Sequence, residues 1–398
     1  MVPEGWKLLT LDSLVSFANG KAHENDVIES GQYVLVNSKF ISTEGHTYKR
    51  TDKSLCPASA GDILMVMSDV PNGRAIAKCF YVLENHKYTV NQRIARIRAE
   101  GSDPKFIFYA INRNSYYLKF DDGITQTNLR KDEVLGCPIR TPPLPEQRKI
   151  AQILSTWDAS ITATERLLEN SQKRKKGLMQ QLLTGKKRLP GFEGEWEEKS
   201  LGKIAKFTTG ASKSNYVTEV GDNYIIDMGS VSRDGKLIPS KKTTLMSDFL
   251  QIGQLVMPKD DIGGGNIIGR VGIIEEEKKY ILADHVYALE VFGCNSQFLC
   301  YLINSYKINK NLRRKANGTA QLGLGKKDVQ NQVVIIPCSL EEQQAIAQIL
   351  TTADQEIEAL KQRLECLKQE KKALMQQLLT GKKRVKVDAE DMEESVTH

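Results

Sequence analysis

The sequence lacks a hydrophobic run that could cross a bilayer, because no stretch approaches the roughly 20 apolar residues that a membrane-spanning helix needs. Its first residues, MVPEGWKLLTLDSL, also lack the basic region and apolar run of a secretory signal. We therefore expect a cytoplasmic protein that does not associate with membranes.

Recognisable metal and disulfide motifs are missing as well. The seven cysteines are an odd number and no two form a C-x-x-C pair, so we expect reduced thiols. The five histidines are scattered without the spacing of zinc ligands. Two acidic runs, Asp260-Asp261 and Glu275–Glu277, are more typical of solvated loops than of ligand sets. The sequence predicts no metal site.

No catalytic motif is complete. Residues Thr209–Ser214 lack the glycine spacing and the Gly-Lys pair of a phosphate-binding loop. The glycines at 263–265 do not complete a dinucleotide-binding pattern, which favours a mobile loop between strands. Thr141–Leu144 is not the Asn-Pro-Pro-aromatic tetrapeptide of amino-methyltransferases. We expect a chain that is not an enzyme and holds no cofactor itself.

The composition is that of a globular protein, with 40% hydrophobic and 26% charged residues among 398. The net charge of +7 is unevenly distributed, since residues 145–188 hold ten basic and only four acidic side chains. Residues 385–398 hold one basic and five acidic side chains, which predicts an acidic disordered tail. A mild positive excess is compatible with a nucleic-acid partner without requiring one.

An internal repeat organises the chain. LPEQRKIAQIL begins at Leu144 and LEEQQAIAQIL at Leu340, while LMQQLLTGKKR begins at Leu178 and again at Leu374. The two 45-residue segments share 27 identities without a gap. The remainder repeats more faintly, for example at Trp6, Leu11, Phe17 and Gly20 against Trp196, Leu201, Phe207 and Gly210. The chain therefore consists of two copies of one unit.

Each repeated segment is predicted to be a long helix of a coiled coil. Apolar residues recur with alternating spacings of four and three over more than four heptads. Pro145 suits a first helical turn, Ser339 with Glu342 forms a capping-box pattern, and Gly185 and Gly381 are typical helix stops. The predicted seam comprises Ile150, Leu154, Trp157, Ile161, Leu168, Leu178, Leu182, Ile346, Leu350, Ile357, Leu360, Leu364, Leu367, Leu374 and Leu378. We expect these helices to pair antiparallel around a pseudo-twofold axis.

The regions outside the helices are rich in short β-like runs such as Tyr33–Val36 and Ile63–Met67. One helix is predicted late in each region, at Lys105–Leu118 and Gln297–Leu312. We predict an α+β protein with two mostly-β domains, at 1–144 and 189–340. Long helices at 145–188 and 341–384 would join them.

The doubled motif resembles that of type I restriction–modification specificity subunits, and the resemblance covers almost the whole chain. It is carried by Leu144–Leu154 with Leu178–Gly185, and by Leu340–Leu350 with Leu374–Gly381. The second copy departs from the pattern at Glu341 and Gln344, where the family motif has proline and arginine. Its helix start is retained through the capping box.

The resemblance implies separate roles for the globular domains, the helix pair and the partner subunits. Each globular domain would read one half of a bipartite, asymmetric site on double-stranded DNA, and the helix pair would set the spacer. The helices would also dock two modification (methyltransferase) subunits, and restriction subunits would join the complex. S-adenosylmethionine, ATP and magnesium would be used by those partner subunits.

Candidate DNA contacts are polar or basic residues at equivalent positions of the two copies, because base edges and phosphates are read by such groups. The set comprises Arg74, Arg93, Gln126, Asn128, Arg130, Lys131, Arg270, His285, Gln321, Lys326 and Lys327. A surface charge or local cap explains any single one equally well. The run Arg313–Lys315 has two equally supported interpretations, a set of phosphate contacts or a solvated helix end. For Lys173–Lys176 we favour a solvated helix face.

The helix length sets an upper limit on the spacer. A helix of about 39 residues is roughly 58 Å long and spans at most about 17 base pairs. Two readers on one face of the duplex favour half-sites centred about one turn, roughly 10 base pairs, apart. Two other classes stay open: a coiled-coil adaptor that joins proteins without reading DNA, and an enzyme whose site is unrecognised.

Overall fold

The computed structural model describes residues 2–70, 74–318 and 321–387 of the chain. It divides into two compact units, one of Met1–Thr164 with Arg363–His398 and one of Glu165–Gln362. Each unit combines one β-rich domain with the start of one long helix and the end of the other. From residue 388 onward, the predicted acidic tail lies outside the described residues.

The domain of the first unit contains twelve short strands and four short α-helices in the described ranges. Its strands are β1 (Lys7–Thr10), β2 (Val15–Asn19), β3 (Tyr33–Val36), β4 (Lys49–Thr51), β5 (Pro57–Ala58), β6 (Ile63–Val66), β7 (Ser68–Asp69), β8 (Cys79–Tyr81), β9 (Tyr88–Val90), β10 (Ile94–Ala99), β11 (Thr127–Asn128) and β12 (Pro138–Thr141). Its helices are α1 (Ser38–Ser42), α2 (Pro104–Ile111), α3 (Ser115–Leu118) and α4 (Lys131–Leu135). The first long helix, α5 (Leu144–Leu182), follows.

In the part of the chain that the structure describes, the domain of the second unit repeats this order with eleven strands, without a counterpart of β5 and with a 3₁₀ turn in place of α1. Its strands are β13 (Trp196–Ser200), β14 (Ala205–Thr209), β15 (Asn223–Ile226), β16 (Lys241–Thr243), β17 (Leu255–Pro258), β18 (Asp260–Asp261), β19 (Gly272–Ile273), β20 (Tyr280–Leu282), β21 (Val286–Val291), β22 (Leu322–Gly323) and β23 (Val333–Pro337). Its helices are α6 (Ser296–Asn304), α7 (Tyr306–Lys315) and α8 (Lys326–Gln330), and the second long helix is α9 (Leu340–Leu378).

The sheets repeat between the two domains. A four-stranded antiparallel sheet has the order β2-β10-β6-β8 in the first domain and β14-β21-β17-β19 in the second. Each domain has a second sheet with one parallel pair, which is β3 with β9 in the first domain and β15 with β20 in the second. Two-stranded pairs complete each domain: β1-β12 and β7-β11, or β13-β23 and β18-β22. The α+β class is thus confirmed.

The two long helices share in the domain cores. In the first unit, Ile150 and Leu154 of α5 join the same buried cluster as Leu378 of α9. In the second unit, Leu182 of α5 shares a cluster with Ile346 and Leu350 of α9. Within each unit the start of one helix therefore packs beside the end of the other, so the segments run antiparallel.

The ends of the long helices follow from local sequence. Pro145 occupies the first turn of α5, where a missing N–H costs nothing. The Ser339 hydroxyl accepts a hydrogen bond from the Glu342 N–H at 3.1 Å, whereas the Glu342 carboxylate accepts from Arg188. Gly185 and Gly381 adopt φ of +68° and +71°, the left-handed conformation that ends helices.

The single late helix predicted in each domain is wrong, because the structure has two. Between α2 and α3, Arg113 has a φ of +54° and the Asn114 side chain accepts from the Tyr116 N–H, which ends one helix and caps the next. Between α6 and α7, Ser305 is extended with ψ of 150° and breaks the helical path. None of the helices in the described part of the chain is long and apolar enough to cross a membrane.

Burial divides the cysteines into two classes with different reactivity. Cys338 and Cys366 are exposed, whereas the other five thiols are buried. Burial raises the pKa of Cys137 to about 11 and those of Cys294 and Cys300 to about 12, so these groups stay protonated at pH 8. We expect two thiols to react rapidly with a disulfide reagent at pH 8 and five only after unfolding. More than two fast thiols in the folded protein would contradict this burial pattern.

Candidate nucleic-acid interface

A short strand pair forms a polar edge in the first domain. Strand β7 pairs with β11, so that Ser68 lies opposite Asn128. Leu129 extends the pairing through its N–H, which donates to the Met67 carbonyl at 2.7 Å. We call Ser68, Gln126 and Asn128 the amide edge.

The amide edge is a connected hydrogen-bond network. Gln126 Nε2 donates to Ser68 Oγ at 2.8 Å and to Asn128 Oδ1 at 3.2 Å. Ser68 Oγ donates in turn to Asn128 Oδ1 at 2.6 Å. Both amide side chains belong to exposed residues, while Ser68 beneath them is buried. The network therefore holds two amide groups together at the surface, where they have donors and acceptors for a partner.

A carboxylate at the end of β7 binds the backbone at Ala75 and Ile76. Asp69 Oδ2 accepts from the N–H groups of Ala75 and Ile76 at 2.6 and 3.0 Å. In the second domain, Asp261 accepts from the N–H groups of Gly263 and Ile267 at 2.5 and 2.8 Å. The expectation of a solvated loop is wrong for Asp260-Asp261, because the pair forms β18 and Asp261 is buried, where its carboxylate binds the backbone of the loop that follows.

The second domain has the same backbone edge with different side chains. Asp260 of β18 lies opposite Gly323 of β22, and the Leu324 N–H donates to the Lys259 carbonyl at 2.7 Å. The His285 Nδ1–H donates to Asp260 Oδ2 at 2.5 Å. We call Asp260 and His285 the acid–imidazole edge. Asp260 and Gly323 therefore stand where the first domain has Ser68 and Asn128, so the hydroxyl is replaced by a carboxylate and the Asn128 amide is lost.

The loop before β22 requires glycine at one position. Gly318 has a φ of +120°, and a Cβ there would lie 2.0 Å from the Gln321 carbonyl oxygen. Asn317 and Gly323 exchange backbone hydrogen bonds of 2.9 and 2.7 Å across this loop. Gln321 is exposed and immediately precedes β22, the strand that pairs with Asp260 and Asp261.

Exposed cations accompany the second edge. Lys326 and Lys327 are the exposed first residues of α8, and Arg313 and Arg314 are exposed in the last turn of α7. A Cβ on Gly265 would lie 3.6 Å from Arg313 Nη2, which places this guanidinium beside the loop that Asp261 organises. The second edge is therefore flanked by positive charge suited to phosphates.

Three of the predicted DNA contacts make intramolecular contacts with other residues of their own domain. Arg130 donates from Nη2 to Glu133 Oε1 at 2.8 Å, and this hydrogen bond lowers the pKa of the Glu133 carboxyl. Lys131 lies over the Phe17 ring, 5.7 Å from its centroid. Arg270 is half-buried and donates to the Asn304 carbonyl at 2.7 Å, and burial lowers the pKa of its guanidinium. Arg270 is thus held inside its domain, while the other two remain exposed.

The remaining predicted contacts lie apart from these networks. Arg74 is exposed, one residue before the Ala75 N–H that donates to Asp69. Arg93 is exposed on the rim of a cleft that Asn37, Lys39 and Asn91 also line. Arg93 and His285 hold equivalent backbone positions. The Arg93 carbonyl accepts from the N–H of Met67, the residue before β7, and the His285 carbonyl accepts from the N–H of Lys259, the residue before β18.

The predicted seam residues are all buried or half-buried. Seven of the fifteen are buried, namely Ile150, Leu154, Leu182, Ile346, Leu350, Ile357 and Leu378. Trp157 is half-buried.

Residues Ser68 and Asp260 were missed as partners of the predicted contacts. Each of these residues lies in a strand of two residues, which is too short to show the alternation of a β-strand in the sequence. The available signal was the resemblance between Gly61–Met65 and Gly253–Met257, which lie just before the two strands. Within the described ranges, no group of three or more His, Cys, Asp or Glu side chains is placed to hold a metal ion.

Comparisons with known proteins agree with the duplicated architecture. Residues 3–171 and 193–369 match the family model of the type I restriction modification DNA specificity domain. The specificity subunit of the type I restriction enzyme MjaVIII from Methanocaldococcus jannaschii is 26% identical over 415 residues, covering 97% of this chain and 94% of that protein.

Solved structures share the fold. The crystal structure of a type I restriction–modification S subunit from M. genitalium has a TM-score of 0.66 at 18% identity, covering 95% of this chain and 96% of that one. A chain from a structure described as the basis of complex assembly and conformational transition of the type I R-M system has a TM-score of 0.54 at 18% identity, covering 95% and 98%. The family model covers both repeats, so this chain belongs to the type I restriction–modification DNA specificity family, which confirms a specificity subunit rather than an enzyme.

Proposed function

We propose that each β-rich domain reads one half of a bipartite DNA target through its polar edge. The observation that carries this proposal is the pair of equivalent backbone edges with different side chains, Ser68 with Asn128 at β7-β11 and Asp260 with Gly323 at β18-β22, where His285 is bonded to Asp260. Two readers of the same construction but different chemistry fit a target whose halves differ.

The chemistry of the edges supports different base preferences. Asn and Gln side chains suit the adenine major-groove edge, which offers one acceptor and one donor. A carboxylate accepts from an exocyclic amino group, as on cytosine or adenine. The flanking lysines and arginines of the second domain supply sequence-independent phosphate contacts.

The two long helices set the spacer in this proposal. Each has 39 residues, or about 58 Å at 1.5 Å per residue, and each contributes to both domain cores. Half-sites centred about one helical turn apart, roughly 10 base pairs, fit such a rod. The helices would also dock two modification subunits, and restriction subunits would complete the assembly with S-adenosylmethionine, ATP and magnesium bound in the partners.

Methylation mapping with a domain exchange tests the proposal. The chain is expressed with its methyltransferase partner, and modified bases are mapped by long-read sequencing. We expect a gapped two-part motif of which one half changes when residues 1–144 are replaced by the corresponding domain of another family member, while the other half is retained. The unexchanged complex is the control.

Two results would contradict the proposal. A contiguous motif would exclude two separated readers. Unmodified DNA in the presence of a stable complex would favour the protein adaptor, because such an adaptor needs no readout of sequence.

A further inference from the structure

A polar triad joins three elements in the first unit. Asp158 of α5 accepts from the Tyr109 hydroxyl of α2 at 2.6 Å through Oδ2 and from Lys371 Nζ of α9 at 2.5 Å through Oδ1. The Lys371 ammonium also lies 5.3 Å from the centroid of the Tyr109 ring. One carboxylate thus connects the globular domain to both long helices, and we call these three residues the first joint.

The second unit repeats this triad atom by atom. Asp354 of α9 accepts from the Tyr301 hydroxyl of α6 at 2.8 Å through Oδ2 and from Lys175 Nζ of α5 at 2.6 Å through Oδ1. Lys175 lies 5.4 Å from the centroid of the Tyr301 ring. We call these three residues the second joint. The polar edges differ between the domains, whereas the joints are the same.

We propose that the two joints are positioning sites that fix how each recognition domain is seated on the helix pair, and thereby how strictly the spacer between half-sites is measured. This inference rests on the proposed function. It assigns the spacer to six named side chains rather than to helix length alone.

The geometry of the joints favours positioning over general stabilisation. The ion pairs of the joints are partly exposed, with 43% of the Asp158 side chain and 28% of the Asp354 side chain accessible, so the pairs contribute little net stability. Both tyrosines are buried, with 5% and 8% of their surface exposed, and burial raises the pKa of their hydroxyls, so they remain donors at neutral pH. Each aspartate therefore has its two oxygens committed to different elements.

The joints also fix the register of the antiparallel helices. In each helix the aspartate precedes the lysine by the same interval, Asp158 to Lys175 and Asp354 to Lys371. A slip by one helical turn would displace the partners by about 5.4 Å, the length of roughly 1.6 base pairs, and would break the contact. A domain seated one turn away would read a target with a different spacer, and the joints exclude that alternative.

The test removes only the two hydroxyls. The double variant Tyr109→Phe with Tyr301→Phe, in complex with the modification subunits, is compared with the wild type. The probes are duplexes that carry the mapped motif with its own spacer or with one base pair added or removed. We expect the preference for the matched spacer to fall at least about fivefold, in line with the loss of charge-assisted hydrogen bonds, while the bases read in each half are unchanged.

Tyr280→Phe is the matched control. Its hydroxyl donates to Glu276 Oε1 at 2.9 Å, a contact of the same chemical type inside the second domain and away from the joint. This variant is expected to keep the wild-type spacer preference. An assembled double variant with unchanged spacer preference would overturn the role of the joints, even if its melting temperature falls. Absence of any gapped motif in the wild type would instead refute the proposed function itself.

Discussion

Arg188→Met is expected to lower the free energy of unfolding of the second unit by about 2–4 kcal/mol, because it leaves a buried carboxylate without its cation. Arg188 donates from Nε and Nη2 to the two oxygens of Glu342, at 2.7 Å each, and only 2% of the Glu342 side chain is exposed. Methionine preserves much of the apolar volume of the arginine. The measurement is hydrogen exchange at increasing urea, followed in peptides from the first turns of α9.

The first unit provides the matched comparison. Arg384 makes the same bidentate contact with Glu146, but Glu146 also accepts from Trp6 Nε1 at 3.0 Å. The equivalent Trp196 Nε1 is buried and finds no hydrogen-bond partner among the described residues. Glu146 therefore keeps one donor after Arg384→Met, and we expect a smaller loss of stability there. Equal losses of unfolding free energy in the two units would show that the Trp6 hydrogen bond does not stabilise the Glu146 carboxylate.

The long helices were predictable because their signals are local. The spacing of apolar residues, Pro145 in the first turn and the glycine stops lie within the helices or next to them. Ser339 caps α9 as its sequence predicts. The carboxylate of Glu342 is directed to Arg188 instead, since a cation 154 residues away in sequence is invisible to a local capping pattern.

The recognition edges could be predicted only in part. The amides of Gln126 and Asn128 were found from their polar loop, but Ser68 lies 58 to 60 residues away and meets them only through strand pairing. Arg270 is a basic residue of the kind that contacts DNA, yet it is half-buried and its Nη1 donates to the Asn304 carbonyl at the end of α6. Side-chain engagement of this kind depends on long-range packing, which neither periodicity nor charge patterns encode.

Substitutions at the two edges are expected to act on different halves of the DNA target. Asp260→Asn replaces an acceptor-only group with one that also donates, so the base pair it faces should be read differently. We expect affinity for the mapped target to fall about 10- to 100-fold, the range for losing one good base contact. Binding is measured with the assembled complex on duplexes varied at each base of the motif.

The position of the loss distinguishes base readout from phosphate attraction. Asp260→Asn should relax discrimination at one position of the second domain's half-site, whereas Asn128→Ala should do so only in the half-site of the first domain. Asp248→Asn serves as the control, because its side chain is 77% exposed in the same domain and lies outside the acid–imidazole edge. If Asp260→Asn changes affinity equally for all sequences, Asp260 acts through charge alone. Relaxation confined to one position would identify the acid–imidazole edge as the surface that reads bases, since phosphate contacts carry no sequence information.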